Sequence, residues 1–171
     1  MCEDYEAKIS YQHDVVCNQK YNENLPYSFH LKAVHSMAIK YNNLIPYAKR
    51  DIVYIAAFGH DLIEDARMTF NDVKEMLNSW EIADIIYLCT EEKGKNRSDR
   101  HNSKFFLELS TNRLAVYVKL CDIMANVLFS LITNSSMIRK YKDEFKTVKD
   151  YLYKEGEYDK LWEDLEKLLS I

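Results

Sequence analysis

Apolar positions recur three and four residues apart along most of the chain, in blocks separated by short polar interruptions. Residues 3 to 20 form a first, weak block with Ile9, Val15 and Val16 as its apolar face. Tyr21 to Pro26 reads as a loop, because Pro26 disfavours helix at the residue before it and suits the opening of one. A helix is expected over 28 to 41, with Ser28 as its N-cap. On it His30, Val34 and Ala38 share one face, and His35 and Ile39 a neighbouring one. Asn42 to Pro46 interrupts the pattern before a central helix from about Lys49 to Asp65. Thr69 can cap the next helix, with Asp72 as the capping-box acid, and that helix ends near Asn78. Trp80 to Thr90 follows, with Ile82, Ile85, Ile86 and Cys89 inward. Lys104 to Leu109 is expected to be helical. From about Asn112 a long helix is apolar nearly all round and should be central. Met137 to Ile171 reads as two amphipathic helices, with Tyr151, Leu152, Trp162, Leu165 and Leu168 as packing residues.

Three glycines and two prolines leave little turn chemistry for a many-stranded sheet, so the fold class expected is all-α. A length of 171 residues and 47% hydrophobic content suit one globular domain over 1–171. Within it a motif-bearing core covers about 20–132 and a helical extension about 137–171. A net charge of −4 argues against a nucleic-acid polyanion but allows a small phosphorylated ligand. The four cysteines form no C-x-x-C pair and read as free thiols in a reducing cytosol. The amino terminus lacks the features of a signal peptide, and no apolar run approaches the ~18 residues that cross a membrane. A cytoplasmic protein is expected.

Candidate chemistry concentrates in Phe58-Gly59-His60-Asp61-Leu62-Ile63-Glu64-Asp65. On a helix, His60 and Glu64 share one face, as do Asp61 and Asp65. The apolar run Ile52 to Phe58 leads into this cluster, so its charges are carried on a core element. Buried charge of this density needs a positive partner, and a divalent metal supplies one. Asp122 is a lone carboxylate within the long apolar helix, with Asn126 one turn on. His30 and His35 are both available as a further ligand, and periodicity alone does not choose between them; a packed core role is the competing reading for either. The polar stretch Glu91 to Asn102 is either a solvated loop or a phosphate-gripping one, since Lys93, Lys95, Arg97 and Arg100 concentrate cationic donors.

A histidine, then histidine-aspartate, then a later aspartate in a buried helix resembles the HD-domain metal-dependent phosphohydrolases. The match looks closer to the hydrolase domain of the RelA/SpoT proteins and the small alarmone hydrolases. Their "PY, two residues, H" motif corresponds to Pro26-Tyr27-Ser28-Phe29-His30, which selects His30. Their "HD, two residues, ED" motif corresponds to His60 to Asp65, followed by the expected threonine at Thr69. Their "KL, one residue, D, three residues, N" motif corresponds to Lys119-Leu120-Cys121-Asp122 with Asn126.

The resemblance implies an HD-domain fold and a metal site of His30, His60, Asp61 and Asp122, usually holding Mn²⁺, although other divalent metals suit the same ligand types. It implies that Glu64 and Asp65 orient and deprotonate the attacking water, and that Asn126 lies near the ribose of the substrate. Tyr21 stands where this branch often carries an arginine that stacks on guanine, and Ile123 where an arginine commonly follows the ligand aspartate. Tyr21 offers a ring for stacking on a base, and Arg97 and Arg100 offer phosphate contacts. The activity implied is 3′-pyrophosphohydrolysis of (p)ppGpp or a related alarmone. The alternatives are a nucleotidase or NADPH 3′-phosphatase on the same scaffold, and an inactive nucleotide-sensing module.

Overall fold

A computed structural model describes residues 5–91 and 102–170 of the chain. Among the described residues there are helices and turns and no strand, beyond isolated bridges pairing Lys20 with Pro26 and Lys154 with Glu157. The helices are α1 (Tyr5–Ser10), α2 (Ser28–Lys40), α3 (Arg50–Gly59), α4 (Phe70–Leu77), α5 (Trp80–Cys89), α6 (Ser103–Ser110), α7 (Arg113–Ile132), α8 (Met137–Leu152) and α9 (Asp159–Ser170).

Helix α7 is the axis of the fold. Asn112 caps it by accepting from the Leu114 and Ala115 amides, and residues on all its sides are buried, as its apolar circumference requires. Helices α2, α3, α5, α6, α8 and α9 pack around it. By length and composition α7 could cross a membrane, which corrects the expectation that no such run exists. Its most apolar stretch is 67% buried inside the protein, so here it serves as the core helix.

Local signals set several boundaries. Thr69 and Asp72 form the expected capping box, with Thr69 Oγ1 accepting from the Asp72 amide at 3.2 Å and Asp72 Oδ2 from the Thr69 amide at 2.8 Å. Asn78 then closes α4 in the left-handed conformation that asparagine tolerates. The inward residues expected on α5 are all buried.

Three expectations are corrected. The first block is α-helical only to Ser10 and continues as a π-helix over Tyr11–Val16. A π turn holds more residues than an α turn, so the phase shifts: His13 turns inward, and Val15 and Val16 are 60% and 57% exposed. Ser28 is the first residue of α2 and not its cap; Asp14 Oδ1 accepts from the Ser28 amide at 3.0 Å, so a carboxylate from the π segment satisfies that helix end. Helix α3 stops at Gly59, and His60 to Asp65 form a sequence of turns. The Leu62 amide reaches back three residues to Gly59, while those of Asp65 and Ala66 both return to the Asp61 carbonyl.

Helices α8 and α9 close the core with Val148, Leu152, Leu161, Trp162 and Leu165. Trp162 is 1% exposed, against Phe145 and Tyr153. Trp162→Ala is expected to cost about 3–5 kcal/mol, the range for truncating a buried aromatic side chain. Urea denaturation of the variant against wild type measures it.

Candidate active site

Three parts of the fold bring four donor atoms together. His30 comes from the first turn of α2, His60 and Asp61 from the start of the turns after α3, and Asp122 from the middle of α7. His60 Nε2 lies 2.9 Å from Asp61 Oδ2 and 3.6 Å from Asp122 Oδ1. His30 Nε2 lies 3.2 Å from Asp122 Oδ1, 3.6 Å from Asp61 Oδ2 and 3.3 Å from His60 Nε2. All four residues are buried. His35, the other candidate, faces away, with Tyr5 and Glu6 beside its ring nitrogens.

The donor set fits a divalent metal. The Ala57 carbonyl accepts from His60 Nδ1 at 3.0 Å, which leaves the lone pair of neutral His60 on Nε2, aimed at the other donors. Bonds of about 2.1 Å to a metal separate neighbouring donors by about 3.0–3.4 Å, close to the spacings found. His60 also shows the pull of the site. Burial lowers its proton affinity, yet Asp61 and Asp122 outweigh burial and hold it well above the ordinary imidazole range. Burial likewise opposes ionised Asp61 and Asp122, but His60 beside the first and Lys119 beside the second hold both below the usual carboxylate range. A divalent ion can take the place of that proton between the same donors.

His30, Asp61 and Asp122 line a cavity of about 190 Å³, together with Glu64, Asp65 and Glu91. Burial pushes the Glu64 carboxyl up to about 7, against the opposing pull of Lys119 and the Glu91 amide, which donates to Glu64 Oε2 at 3.0 Å. Asp65 is also pushed up, by burial and then by Asp61. The Tyr27 hydroxyl lies 2.7 Å from Asp61 Oδ2 and 2.5 Å from Asp65 Oδ2.

Asn126 and Tyr21 line the same cavity and form a chain behind Asp122. Tyr21 Oη donates to Asn126 Oδ1 at 2.8 Å, and Asn126 Nδ2 donates to Asp122 Oδ1 at 2.6 Å. The Tyr21 ring is stacked on His30, with centroids 4.7 Å apart, and leans on Phe129 at the same distance. Arg97 and Arg100, the expected phosphate contacts, lie outside the described residues.

Two contributions were not assigned from sequence. Lys119, one turn before Asp122, is buried with Nζ 3.2 Å from Asp122 Oδ2 and 3.9 Å from Glu91 Oε1. Burial lowers its proton affinity, but Asp122, Glu91 and Glu64 outweigh burial, so it stays a cation. A lysine three residues from an aspartate in an apolar helix was the available signal. The second is α8, whose Tyr141, Glu144, Phe145 and Val148 line the cavity. Among the described residues lining it, Lys119 is the cation against carboxylates of Asp61, Glu64, Asp65, Glu91, Asp122 and Glu144. A phosphate could enter so anionic a space only with a bound cation or further basic groups.

No family model matches the chain. Among solved structures, it is similar to a metazoan ortholog of SpoT that hydrolyzes ppGpp and plays a role in starvation responses, at 20% sequence identity and a TM-score of 0.74. The likeness covers 99% of this chain and 96% of that one. Over nearly its whole length, then, this chain shares the all-α fold of that protein.

Proposed function

We propose that the protein is a metal-dependent phosphohydrolase that removes the 3′-pyrophosphate of a nucleotide such as (p)ppGpp or a related alarmone. The observation that carries this reading is the convergence of His30, His60, Asp61 and Asp122 within 3.6 Å along each measured contact, beside a cavity that Glu64 also lines. The fold shared with a ppGpp-hydrolyzing protein supports the substrate class.

In this reading His30, His60, Asp61 and Asp122 would hold Mn²⁺, which would supply Lewis-acid charge to the phosphate and a more acidic water. Glu64, ionised above about 7, accepts the proton of the attacking water. Asp65, on the same turn, orients that water. The new bond joins the water oxygen to the phosphorus nearest the ribose. The bond from that phosphorus to the ribose 3′-oxygen breaks, pyrophosphate leaves, and the 3′-oxygen takes up a proton. Lys119 keeps Asp122 in place through its second oxygen. Tyr21 and Asn126 border the nucleotide, and Arg97 and Arg100 contact its phosphates. The chain acts as one domain in the cytoplasm, where its described cysteines Cys17, Cys89 and Cys121 stay free thiols, as they are in the fold.

The test is turnover with Mn²⁺ against ppGpp, ppApp, NADPH, dNTPs and nucleoside monophosphates, with products separated by chromatography. Pyrophosphate released from ppGpp or ppApp is the expected result. Turnover of NADPH or monophosphates alone would replace this reading by a phosphatase on the same scaffold. No turnover of any of these by protein with Mn²⁺ bound would replace it by a hydrolase of another substrate or by a nucleotide sensor.

A further inference from the structure

The π-helical segment does more than cover the core. His13, at its centre, is fully buried, and its ring lies flat on Tyr27 with centroids 4.9 Å apart and planes 10° from parallel. Gln19 Oε1 accepts from His13 Nδ1 at 2.6 Å, which fixes the plane of the imidazole. The far end of Tyr27 carries the hydroxyl that touches both Asp61 and Asp65. A phenol hydroxyl carries its proton at neutral pH, so it is the donor in these contacts.

The same segment grips the chain on both sides of this contact. Asp14 holds the Ser28 amide, next to Tyr27. Gln12 Nε2 and Cys17 Sγ both donate to the carbonyl of Ala66, next to Asp65, at 3.3 and 3.4 Å. The Asp65 amide donates to the Asp61 carbonyl at 2.8 Å, so the backbone sets the two residues one turn apart. The Tyr27 hydroxyl then joins their carboxylate oxygens at the far ends of the side chains.

We infer that Tyr27 is a positioning residue that fixes Asp61 relative to Asp65, and that His13, carried inward by the π-helix, is the stop that holds the Tyr27 ring. This rests on the hydrolase reading of Asp61 and Asp65. Hydrogen-bonding partners outside the ligand set typically contribute 10–100-fold in metal affinity or activity. The π-helix has a stated use here: it turns a histidine to the place where the ring needs backing.

The variants that test this are Tyr27→Phe, His13→Phe and His13→Ala in the full chain. Mn²⁺ affinity is measured by electron paramagnetic resonance titration, and kcat and KM are measured on the nucleotide that the wild type turns over. Tyr27→Phe keeps the stacked ring and loses only the hydroxyl. It is expected to weaken Mn²⁺ binding and lower kcat by about 10–100-fold with KM little changed. His13→Ala should move both in the same direction by a smaller factor, and His13→Phe, with a flat ring restored, should recover them. Wild-type Mn²⁺ affinity and kcat in Tyr27→Phe would overturn the inference, and so would a His13→Phe protein as impaired as His13→Ala. If wild type binds Mn²⁺ but turns over no nucleotide, the hydrolase reading fails while the affinities still decide the role of Tyr27. If wild type binds no Mn²⁺, both fail.

Discussion

Asp122→Asn is expected to lower Mn²⁺ affinity by more than about 100-fold, beyond the cost of losing an outer partner, and to remove turnover with it. Asp122 is the most interconnected group of the site. One of its oxygens faces both imidazoles at 3.2 and 3.6 Å and accepts from Asn126, and the other faces Lys119 at 3.2 Å. The substitution keeps the shape of the side chain and deletes its charge. It also leaves the Lys119 ammonium buried, with the Glu91 carboxylate 3.9 Å away. Breaking a buried pair typically costs about 3–5 kcal/mol, so the variant should melt lower as well. Metal titration and circular dichroism melting separate the two effects. An Asp122→Asn protein that binds Mn²⁺ as wild type does would remove Asp122 from the ligand set.

Glu64→Gln is expected to lower kcat by about 10²–10⁴-fold, the usual worth of a positioned general base, with Mn²⁺ affinity within a few-fold of wild type. A glutamine oxygen can still accept from the Glu91 amide, so the local structure should survive. What it cannot do is take a proton. The pH dependence gives the sign. Burial holds the Glu64 carboxyl at about 7, so below that value it is protonated and idle, and above it the carboxylate is available. Wild-type kcat should therefore climb with pH through about 7 and level off, and the variant should lack that rise. A variant with the wild-type rate would move the role of base to Asp65.

The elements that local chemistry controls were legible in the sequence. The capping box at Thr69 and Asp72, the asparagine stop at Asn78 and the apolar girth of α7 each follow from a few adjacent residues. The HD stretch could be picked out by its density of charge behind an apolar run, but choosing His30 over His35 required the motif resemblance, and the fold then separates the two by direction. What stayed hidden depends on phase or on distance. No residue type announces a π turn, so His13 was not distinguished and Val15 and Val16 were placed inside. On α8, Tyr141, Glu144, Phe145 and Val148 recur at the helical period, a pattern shared by a core stripe and a cavity wall. Only the packing of α8 against α7 tells these apart.

The candidate metal donors come from α2, from the turns after α3 and from α7, so one ion held there would tie together the whole stretch between residues 30 and 122. An ion bound only by the folded chain adds RT ln(1 + [metal]/Kd) to its stability, about 2.7 kcal/mol at one hundred times Kd. Supply of the ion would then govern how long the protein persists as well as how fast it works. A cell short of that ion would lose molecules to proteolysis in addition to losing turnover per molecule, and the fall in total activity would be steeper than site occupancy alone dictates.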